Sequence, residues 1–442
     1  MTAGDTIYAL SSGAGRAAVA VVRLSGSGTQ GLLVSLAGGL PPPRRAVLRD
    51  LRDSNGETLD RAIVLWFPGP SSFTGEDCAE LHLHGSPSVI QAVMAVCSAW
   101  SDVRPAEPGE FTRRAFLNGK MDLVEAEGLA DLLEARTAGQ RRQAFRQMSG
   151  AASSVFESWR EQLLLIRADI EASVDFADEE GVAEAAAPGI DRRMATVLAE
   201  MQENLSRSAA SEIIRDGVKV VLAGHPNTGK SSLLNALSRR EAAIVSAIPG
   251  TTRDSIEVTM DIHGIPVILT DTAGLRARAA DLVEEEGIRR TRQHIAGADV
   301  LVWVWSPDVP GSEAPEAGSM PDLIVGNKAD LQTSGERPSN ADALFISTRT
   351  GQGMSVLLDR LSKLLQDRYG SVESSLLVSA RQKSAVQRSI RHLNDALNIS
   401  PDSFELKAEE VRQASEEIGR LTGRVDVEEW LGAIFSRFCI GK

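Results

Sequence analysis

A glycine-rich stretch in the middle of the chain has the residue types and spacing of a phosphate-binding loop. It reads GHPNTGKS over 224–231, after an apolar run at 219–223 and before a helical pattern that begins at Ser232. Glycines let backbone N–H groups close around phosphates, a lysine reaches the β and γ phosphates, and a serine hydroxyl binds Mg²⁺. The nucleotide contacts expected here are Gly224, Asn227, Thr228, Gly229, Lys230, Ser231 and Ser232.

A second motif, NKAD, follows an apolar run and indicates which base is bound. A carboxylate such as Asp330 can accept two hydrogen bonds from the N1–H and 2-amino edge of guanine, which adenine lacks. Lys328 can lie over the base, and Asn327 can brace the loop. Downstream of a phosphate loop, this motif predicts GTP rather than ATP. Ser347 begins the sequence STRTG, where related proteins carry a Ser-Ala-Lys loop under the base.

Two segments between these motifs are expected to respond to the γ-phosphate. GTTRD at 250–254 offers Thr252, which can reach Mg²⁺ and the γ-phosphate, and DTAGL at 271–275 offers Asp271 toward the Mg²⁺ shell and Gly274 toward the γ-phosphate. The further GTP contacts expected in and before these segments are Ser246, Ala247, Ile248, Pro249, Gly250, Thr251, Thr272 and Ala273.

The last residue of DTAGL is aliphatic, whereas Ras-like proteins place a water-orienting glutamine there. Leu275 cannot position water, so the sequence must supply other groups. Asn227 and the carbonyls of 246–250 could hold a monovalent cation beside the phosphates, although Asn227 could equally only brace its loop. A carboxylate run at 281–286 could orient the water, although such runs are usually solvated helix faces.

The elements that must hold these motifs follow from periodicity. Short strands at 17–24, 46–51, 61–66 and 79–84 with a helix at 88–100 indicate an α+β unit. A helical region then extends from 121 to about 214, broken by an acidic, alanine-rich loop near 178–188. Within it, apolar residues recur at spacings of three and four, which predicts one buried face: Phe156, Trp159, Leu163, Ile166, Ile170 and Val174.

Strand and helix signals alternate from 219 onward, as in a mostly parallel α/β sheet, and helices resume after about 371. The carboxy-terminal helices carry large apolar residues on a polar background, so they should pack on the earlier helices. The simplest interpretation is a helical domain interrupted by an inserted α/β domain. The predicted domains are 1–119, 120–215, 216–370 and 371–442.

The composition limits the partners and the compartment. The 442 residues have a formal net charge of -13, so any RNA contact must use a local basic patch, such as Arg113 and Arg114 with Lys120, or Arg141 with Arg142. Surface arginines of this kind are more often ordinary solvated charge. The amino terminus has no signal-peptide pattern and no apolar run could span a bilayer, which predicts a cytoplasmic protein. The three cysteines are expected to be free thiols: Cys78, Cys97 and Cys439.

The whole chain resembles the MnmE (TrmE) family of tRNA modification GTPases. The motifs that carry the resemblance are DTIYAL, FTGEDCAELHLHG, GEFTRRAFLNGKMDLVEAEGLADLL, GHPNTGKSSLLNAL, IPGTTRD and the terminal FCIGK. The resemblance implies a folate-binding-like amino-terminal domain, a helical domain and an inserted Ras-like G domain. It further implies a potassium-activated, Mg²⁺-dependent GTPase that works as a homodimer with the flavoprotein MnmG. Together they would add a carboxymethylaminomethyl or aminomethyl group at carbon 5 of the wobble uridine of certain tRNAs.

The family's site residues carry over by position. Potassium positions fall on Asn227, Ser246, Ile248 and Thr251, and Mg²⁺ positions on Ser231 and Thr252. Glu284 matches the water-orienting glutamate, with Glu285 left open because one residue is inserted after DTAG. Lys230 and Thr252 complete the expected catalytic set, and the resemblance implicates the Cys439 thiol in the modification chemistry.

A folate of the 5-formyl-tetrahydrofolate type is implied at Arg23, Glu80, Lys120 and Lys442. The chemistry agrees, since a carboxylate can pair with the pterin amino edge and cations can meet the glutamate tail. The alternative is a ribosome-assembly type of GTPase switch, which shares the phosphate-loop and DTAGL patterns. Those proteins normally append an RNA-binding KH-like domain, whereas this chain has a helical scaffold and a CIGK tail.

Overall fold

A computed structural model describes most of the chain. The described residues are 5–13, 15–175, 182–239, 243–244, 257–271, 295–312, 320–331, 343–369, 376–400, 403–425 and 428–442. They form two compact units. The first comprises Met1–Ala130, Gln147–Glu161 and Ser415–Lys442, and the second comprises Asp131–Arg146 and Gln162–Ala414.

A six-stranded sheet forms the centre of the first unit. Its strands are β1 (Thr6–Leu10), β2 (Val19–Ser25), β3 (Val47–Arg52), β4 (Thr58–Phe67), β5 (Cys78–His84) and β6 (Val103–Pro105). They are ordered β3-β4-β5-β2-β1-β6, and only β1 with β6 is a parallel pair. Buried residues alternate with more exposed ones along most of β2 and β5, so one face of the sheet is buried.

Thirteen helices occur in the described part of the chain. Those up to the second sheet are α1 (Thr29–Ala37), α2 (Pro87–Ala99), α3 (Glu110–Leu117), α4 (Leu123–Glu134), α5 (Ala138–Met148), α6 (Ala151–Asp175), α7 (Val182–Ser206) and α8 (Ser208–Asp216). Those within or after the second sheet are α9 (Lys230–Ser238), α10 (Met354–Tyr369), α11 (Ala380–Asn398), α12 (Phe404–Thr422) and α13 (Glu428–Phe435).

A seven-stranded sheet forms the centre of the second unit. Its strands are β7 (Val218–Ala223), β8 (Ala243–Ile244), β9 (Glu257–Ile262), β10 (Ile265–Asp271), β11 (Val300–Trp305), β12 (Leu323–Gly326) and β13 (Leu344–Phe345). The order is β13-β12-β11-β7-β10-β9-β8. Six strands run in the same direction, and β9 runs opposite to them, pairing antiparallel with both β10 and β8. The predicted, mostly parallel α/β sheet is therefore confirmed. Because the strands are parallel, the loops that follow β7, β10, β11 and β12 open at one edge.

The predicted helical patterns are confirmed where side chains are described. Phe156, Trp159, Leu163, Ile166 and Ile170 are at most 1% exposed along α6. The carboxy-terminal helix α13 contributes Leu431, Ile434 and Phe435 to a core with α4 residues, as its apolar spacing requires. In the described helices, no segment is long and apolar enough to cross a membrane.

The loop expected near 178–188 is partly wrong, because α7 already begins at Val182. Its first residues are Val-Ala-Glu-Ala-Ala-Ala, and alanine and glutamate have high helix propensity. Pro188, at the end of the expected loop, lies inside α7. Proline lowers helix stability without always ending a helix, and the alanine-rich turn before it outweighs that cost here.

Candidate functional site

The phosphate loop occupies 224–229, between the end of β7 and the start of α9. Its two outer glycines meet other backbone and side chains at very short range. A Cβ at Gly224 would lie 2.0 Å from the Val304 carbonyl oxygen, and one at Gly229 would lie 2.3 Å from Asn327 Nδ2. Both glycines also have positive φ, so the curl of the loop excludes any side chain at these points.

Lys230 begins α9, and its ammonium lies inside the curl of the loop. Its Nζ donates to the carbonyl oxygens of Gly224 at 2.9 Å and His225 at 2.7 Å. The residue is only 4% exposed, and the N-terminus of a helix favours anions. A phosphate brought to this helix end would therefore meet a buried ammonium and the backbone N–H groups of the first helical turn together. Ser232 lies exposed on the same first turn.

Ser231 and Asp271 provide two oxygen atoms suited to a hard cation. The Ser231 hydroxyl donates to the Asp271 carboxylate, which is 3% exposed at the end of β10. The parallel register places Asp271 beside Leu222 of β7, so strand pairing brings the carboxylate to the loop. Mg²⁺ prefers oxygen ligands of this kind, and the pair fits that ion.

The NKAD motif is joined to the phosphate loop by direct contacts. Asn327 is 1% exposed, and its Nδ2 donates to the carbonyl oxygens of Thr228 at 3.2 Å and Gly229 at 3.4 Å. The Thr348 backbone N–H donates to Asn327 Oδ1 at 3.3 Å. Because Thr348 contributes its backbone here, a threonine in place of the usual alanine leaves this contact intact.

Asp330 and Ser347 are held together at the guanine-reading position. The Ser347 hydroxyl donates to Asp330 Oδ1 at 2.6 Å. That hydrogen bond is the main cause that holds the pKa of Asp330 below its usual range. The carboxylate is therefore ionised at neutral pH and can accept hydrogen bonds from two adjacent donors, as a guanine edge presents them.

Lys328 has a partner that the sequence did not reveal. Its Nζ donates to the Asn227 carbonyl oxygen at 2.9 Å and pairs with Asp308 Oδ2 at 2.7 Å. The hydrogen bond from Lys328, with one from Ser306, lowers the pKa of Asp308. Asp308 lies in the loop after β11. In the sequence it is marked only as a polar residue that follows a buried strand, at the sheet edge where the site forms.

Several predicted site residues lie outside the described residues. They are Ser246, Ala247, Ile248, Pro249, Gly250, Thr251, Thr252, Thr272, Ala273, Gly274, Leu275, Glu284 and Glu285. The structure brings together the remaining predicted contacts of the second unit. They are Gly224, Asn227, Thr228, Gly229, Lys230, Ser231, Asp271, Asn327, Lys328, Asp330 and Ser347.

A second cluster lies on the first sheet and includes three of the four folate-assigned residues. Arg23 of β2 faces Glu80 of β5 in the strand register, and Arg23 Nη2 lies 2.9 Å from Glu80 Oε1. His82 Nε2 lies 3.2 Å from the other carboxylate oxygen. Burial raises the pKa of Glu80, but the hydrogen bonds from His82 and Arg23 outweigh it and lower that pKa overall.

Lys442 joins this cluster because the carboxy-terminal tail is tied down. The Ser11 hydroxyl donates to the Gly441 carbonyl oxygen at 3.0 Å, and Ile440 bridges to Pro108. Burial and then the charge of Arg23 lower the pKa of Lys442. Arg23 pairs with Glu80, and Lys442 is influenced by both charges, so the cluster has the positive charge that suits an anionic ligand.

Lys120 and Cys439 are placed differently from these residues. Lys120 is exposed after α3, with its backbone N–H bonded to the Ala115 carbonyl oxygen, and it forms no ion pair with Glu80. The thiol of Cys439 is free and the residue is exposed, whereas Cys78 and Cys97 are buried. Burial raises the pKa of Cys97 to about 12, which makes it unreactive.

The basic residues Arg113, Arg114 and Lys120, named as one candidate patch for RNA, do not form an open patch in the structure, because Arg114 is buried. Arg114 is 7% exposed and pairs with Asp5, Glu76 and Glu110 at 2.7, 3.1 and 3.0 Å. A guanidinium engaged on three sides cannot contact a phosphate. The sequence could not reveal that Arg114 is buried, because the charge pattern of a helix does not show which side faces the core.

Comparisons with known proteins match nearly the whole chain. A family model described as the MnmE helical domain matches residues 123–439, and one described as the GTP-binding protein TrmE N-terminus matches residues 6–120. Among solved structures, the G domain of the T. maritima FeoB iron transporter matches 34% of this chain and 99% of that chain, with 25% identity and a TM-score of 0.25.

Full-length relatives carry the name tRNA modification GTPase MnmE. The protein of Methylobacterium sp. (strain 4-46) is 49% identical, covering 99% of this chain and 100% of the relative. That of Rhizobium meliloti (strain 1021) is 48% identical, covering 100% of both, and that of Bradyrhizobium sp. (strain ORS 278) is 48% identical, covering 99% of both. With the nucleotide loop, the NKAD contacts and these end-to-end matches, the chain belongs to the MnmE family of tRNA modification GTPases.

Proposed function

We propose that this chain hydrolyses GTP to drive the addition of a carboxymethylaminomethyl or aminomethyl group at carbon 5 of the wobble uridine of certain tRNAs. The observation that carries the proposal is the junction of the two motifs. Asn327 and Lys328 are bonded to the backbone of the phosphate loop, so base recognition and phosphate binding form one rigid site. The substrate, tRNA, is proposed from the names of the full-length relatives.

In this proposal the second unit's own residues bind and orient GTP. Asp330 and Ser347 recognise guanine, Lys230 and the N-terminus of α9 hold the β and γ phosphates, and Asp271 orders the Mg²⁺ shell. Ser231 and Thr252 would hold Mg²⁺, which supplies charge neutralisation on the phosphate oxygens. Leu275 lies where Ras-like proteins have a water-orienting glutamine, so Glu284 orients the attacking water instead.

A potassium ion is proposed at Asn227, Ser246, Ile248 and Thr251, where an arginine finger would otherwise lie. Asn227 supports this assignment because it is exposed in the left-handed region, with φ 65°, and its carbonyl is fixed by Lys328. We expect GTP turnover to rise severalfold when potassium replaces sodium, and Asn227→Ala to remove the rise. Equal turnover in the two salts would contradict the potassium site, and the nucleotide assignment would stand.

The first unit is proposed to bind a 5-formyl-tetrahydrofolate-type folate and to form a homodimer. Arg23, Glu80 and Lys442 support the ligand, because the carboxylate can meet a pterin amino edge and the cations an anionic tail. Lys120 would reach the same ligand from the segment after α3. The exposed Cys439 thiol on the anchored tail is proposed to take part in the modification chemistry. The flavoprotein MnmG is the proposed partner, and the cytoplasm the proposed compartment.

The test is mass analysis of tRNA nucleosides from cells that lack this chain. We expect the wobble uridine to lose its carbon 5 substituent, and re-expression of the chain to restore it. Re-expression of Asp330→Asn should fail to restore it, because that variant cannot read guanine. An unchanged wobble uridine would instead favour the ribosome-assembly type of switch.

A further inference from the structure

Helix α5 presents an uninterrupted basic face. Its sequence, AGQRRQAFRQM, contains three arginines and no acidic residue. Arg141, Arg142, Phe145 and Arg146 are all exposed, and their spacing of three and four places them on one side of the helix. Phe145 leaves 56% of its surface open beside the arginines. This is the second basic patch that the sequence singled out, and the nucleotide site makes no use of it.

The opposite side of α5 is fixed within the second unit. The Gln140 and Gln143 side chains donate to the carbonyl oxygens of Arg215 and Ser211 at 3.0 and 2.9 Å. Gly139 approaches the β9–β10 turn so closely that a Cβ would lie 2.0 Å from the Gly264 carbonyl oxygen. The arginines therefore project from a helix whose position is set by contacts on its other side.

Two carboxylates on neighbouring helices, Asp131 of α4 and Glu212 of α8, are already paired with cations. Asp131 pairs with Arg215 at 3.1 Å, and Glu212 pairs with Lys383 at 3.4 Å. Both of these carboxylates already have a cation on another element, and Arg141 and Arg142 lie exposed on α5, so this face brings local positive charge to a chain of net charge -13. The other basic patch is not available, because Arg114 is buried among carboxylates.

We propose that the exposed face of α5, Arg141, Arg142, Phe145 and Arg146, binds the tRNA substrate. The guanidinium groups would contact phosphates, and Phe145 would stack on an unpaired base. Charge complementarity favours RNA over an acidic protein as the ligand of this face. The closely spaced phosphates of RNA can contact several arginines at once, whereas an acidic protein loop offers fewer and weaker charges. This assignment rests on the proposed function for the identity of the RNA.

The experiment compares two matched charge reversals in the full-length chain. Arg141→Glu/Arg142→Glu changes the proposed face, and Arg192→Glu/Arg193→Glu changes another adjacent pair of exposed arginines, on α7. Binding of a fluorescent, unmodified tRNA transcript is measured by anisotropy across a salt series. Fluorescent GDP binding and the melting temperature check that both variants are folded.

The α5 variant should bind tRNA about tenfold or more weakly, and its salt slope should fall by about 1.5 to 2, the value for two lost phosphate contacts. The α7 variant should match the unaltered chain. Phe145→Ala should weaken binding with little change in salt slope, because stacking releases no counterions. A merely structural effect would alter GDP binding or melting as well.

Equal losses in the α5 and α7 variants, or no loss in either, would overturn the proposal. So would failure of the unaltered chain to bind the transcript. The cellular nucleoside measurement separates these results from failure of the proposed function. If the wobble uridine loses its modification without this chain but the α5 variant still binds tRNA normally, the α5 surface is excluded as the tRNA site. The proposed function in tRNA modification then stands.

Discussion

At the residue scale, the contact between Asp308 and Lys328 shows how the base-reading lysine is held. Lys328 has φ 59°, an uncommon conformation for a side-chain-bearing residue, and its ammonium reaches back to the phosphate loop. Asp308 lies on the other side of that ammonium, at 2.7 Å. It is a positioning residue, because it acts on nucleotide through Lys328.

Replacing Asp308 by asparagine should weaken GDP and GTP binding by about two- to fivefold, the range for one exposed ion pair. The kcat should stay unchanged, because no reacting atom is touched. Fluorescent-nucleotide titration and steady-state kinetics measure the two quantities. Asp322→Asn, which changes the ion pair with Arg368 instead, is the control. A fall in kcat with unchanged affinity would show that Asp308 has another role.

At the element scale, α3 is fixed by charge as well as by apolar packing. Its Glu110 is 2% exposed. The Glu110 carboxylate oxygen Oε1 pairs with Arg104 Nη2 at 2.6 Å and with Arg114 Nη2 at 3.0 Å. Burial raises the pKa of Glu110, but the hydrogen bonds from Arg104, the Glu107 backbone and Arg114 lower it overall. Such a network stabilises the fold only while every charge keeps its partner.

Arg114→Ala should therefore destabilise the first unit by about 3–5 kcal/mol, because Glu110 and Asp5 lose a buried partner. Urea unfolding followed by circular dichroism measures the change. Arg61→Ala removes an exposed pair with Asp50 and should cost less than about 1 kcal/mol. Similar losses in the two variants would mean that the buried cluster contributes no more than a surface pair.

At the scale of the whole molecule, the second sheet has a core of its own. Within the described residues, its buried members run from Val218 to Leu365, and Ile213 of α8 and Tyr369 of α10 pack against them. The proposed boundaries, 216–370, enclose this core. A chain segment with its own apolar core is the physical requirement for independent folding.

We expect the fragment 216–370 to unfold cooperatively on heating and to bind fluorescent GDP, since all described nucleotide contacts lie inside it. Asp330→Asn in the same fragment should abolish GDP binding and preserve the melt. A fragment that fails to melt cooperatively would show that the flanking helices complete the core, and would contradict the proposed boundaries.

The nucleotide site was largely predictable because its signals are local. A glycine at positive φ, a lysine at the first helical position and a carboxylate after a buried strand are set by a few neighbouring residues. The confirmed strands and the apolar face of α6 follow likewise from short-range periodicity. These features need no knowledge of distant partners.

Features that depend on distant partners were not predictable. Arg114, a candidate RNA contact from the sequence, is a buried cation paired with carboxylates. Asp308 lies beside Lys328 because β11 and β12 are adjacent in the sheet. Sequence alone determined the chemistry that the chain carries and the elements that hold it. Only the tertiary structure decided which charges are buried against one another, as at Arg114, and which side chains lie exposed, as at Arg141 and Arg142, because pairing depends on distances that spacing along the chain does not fix.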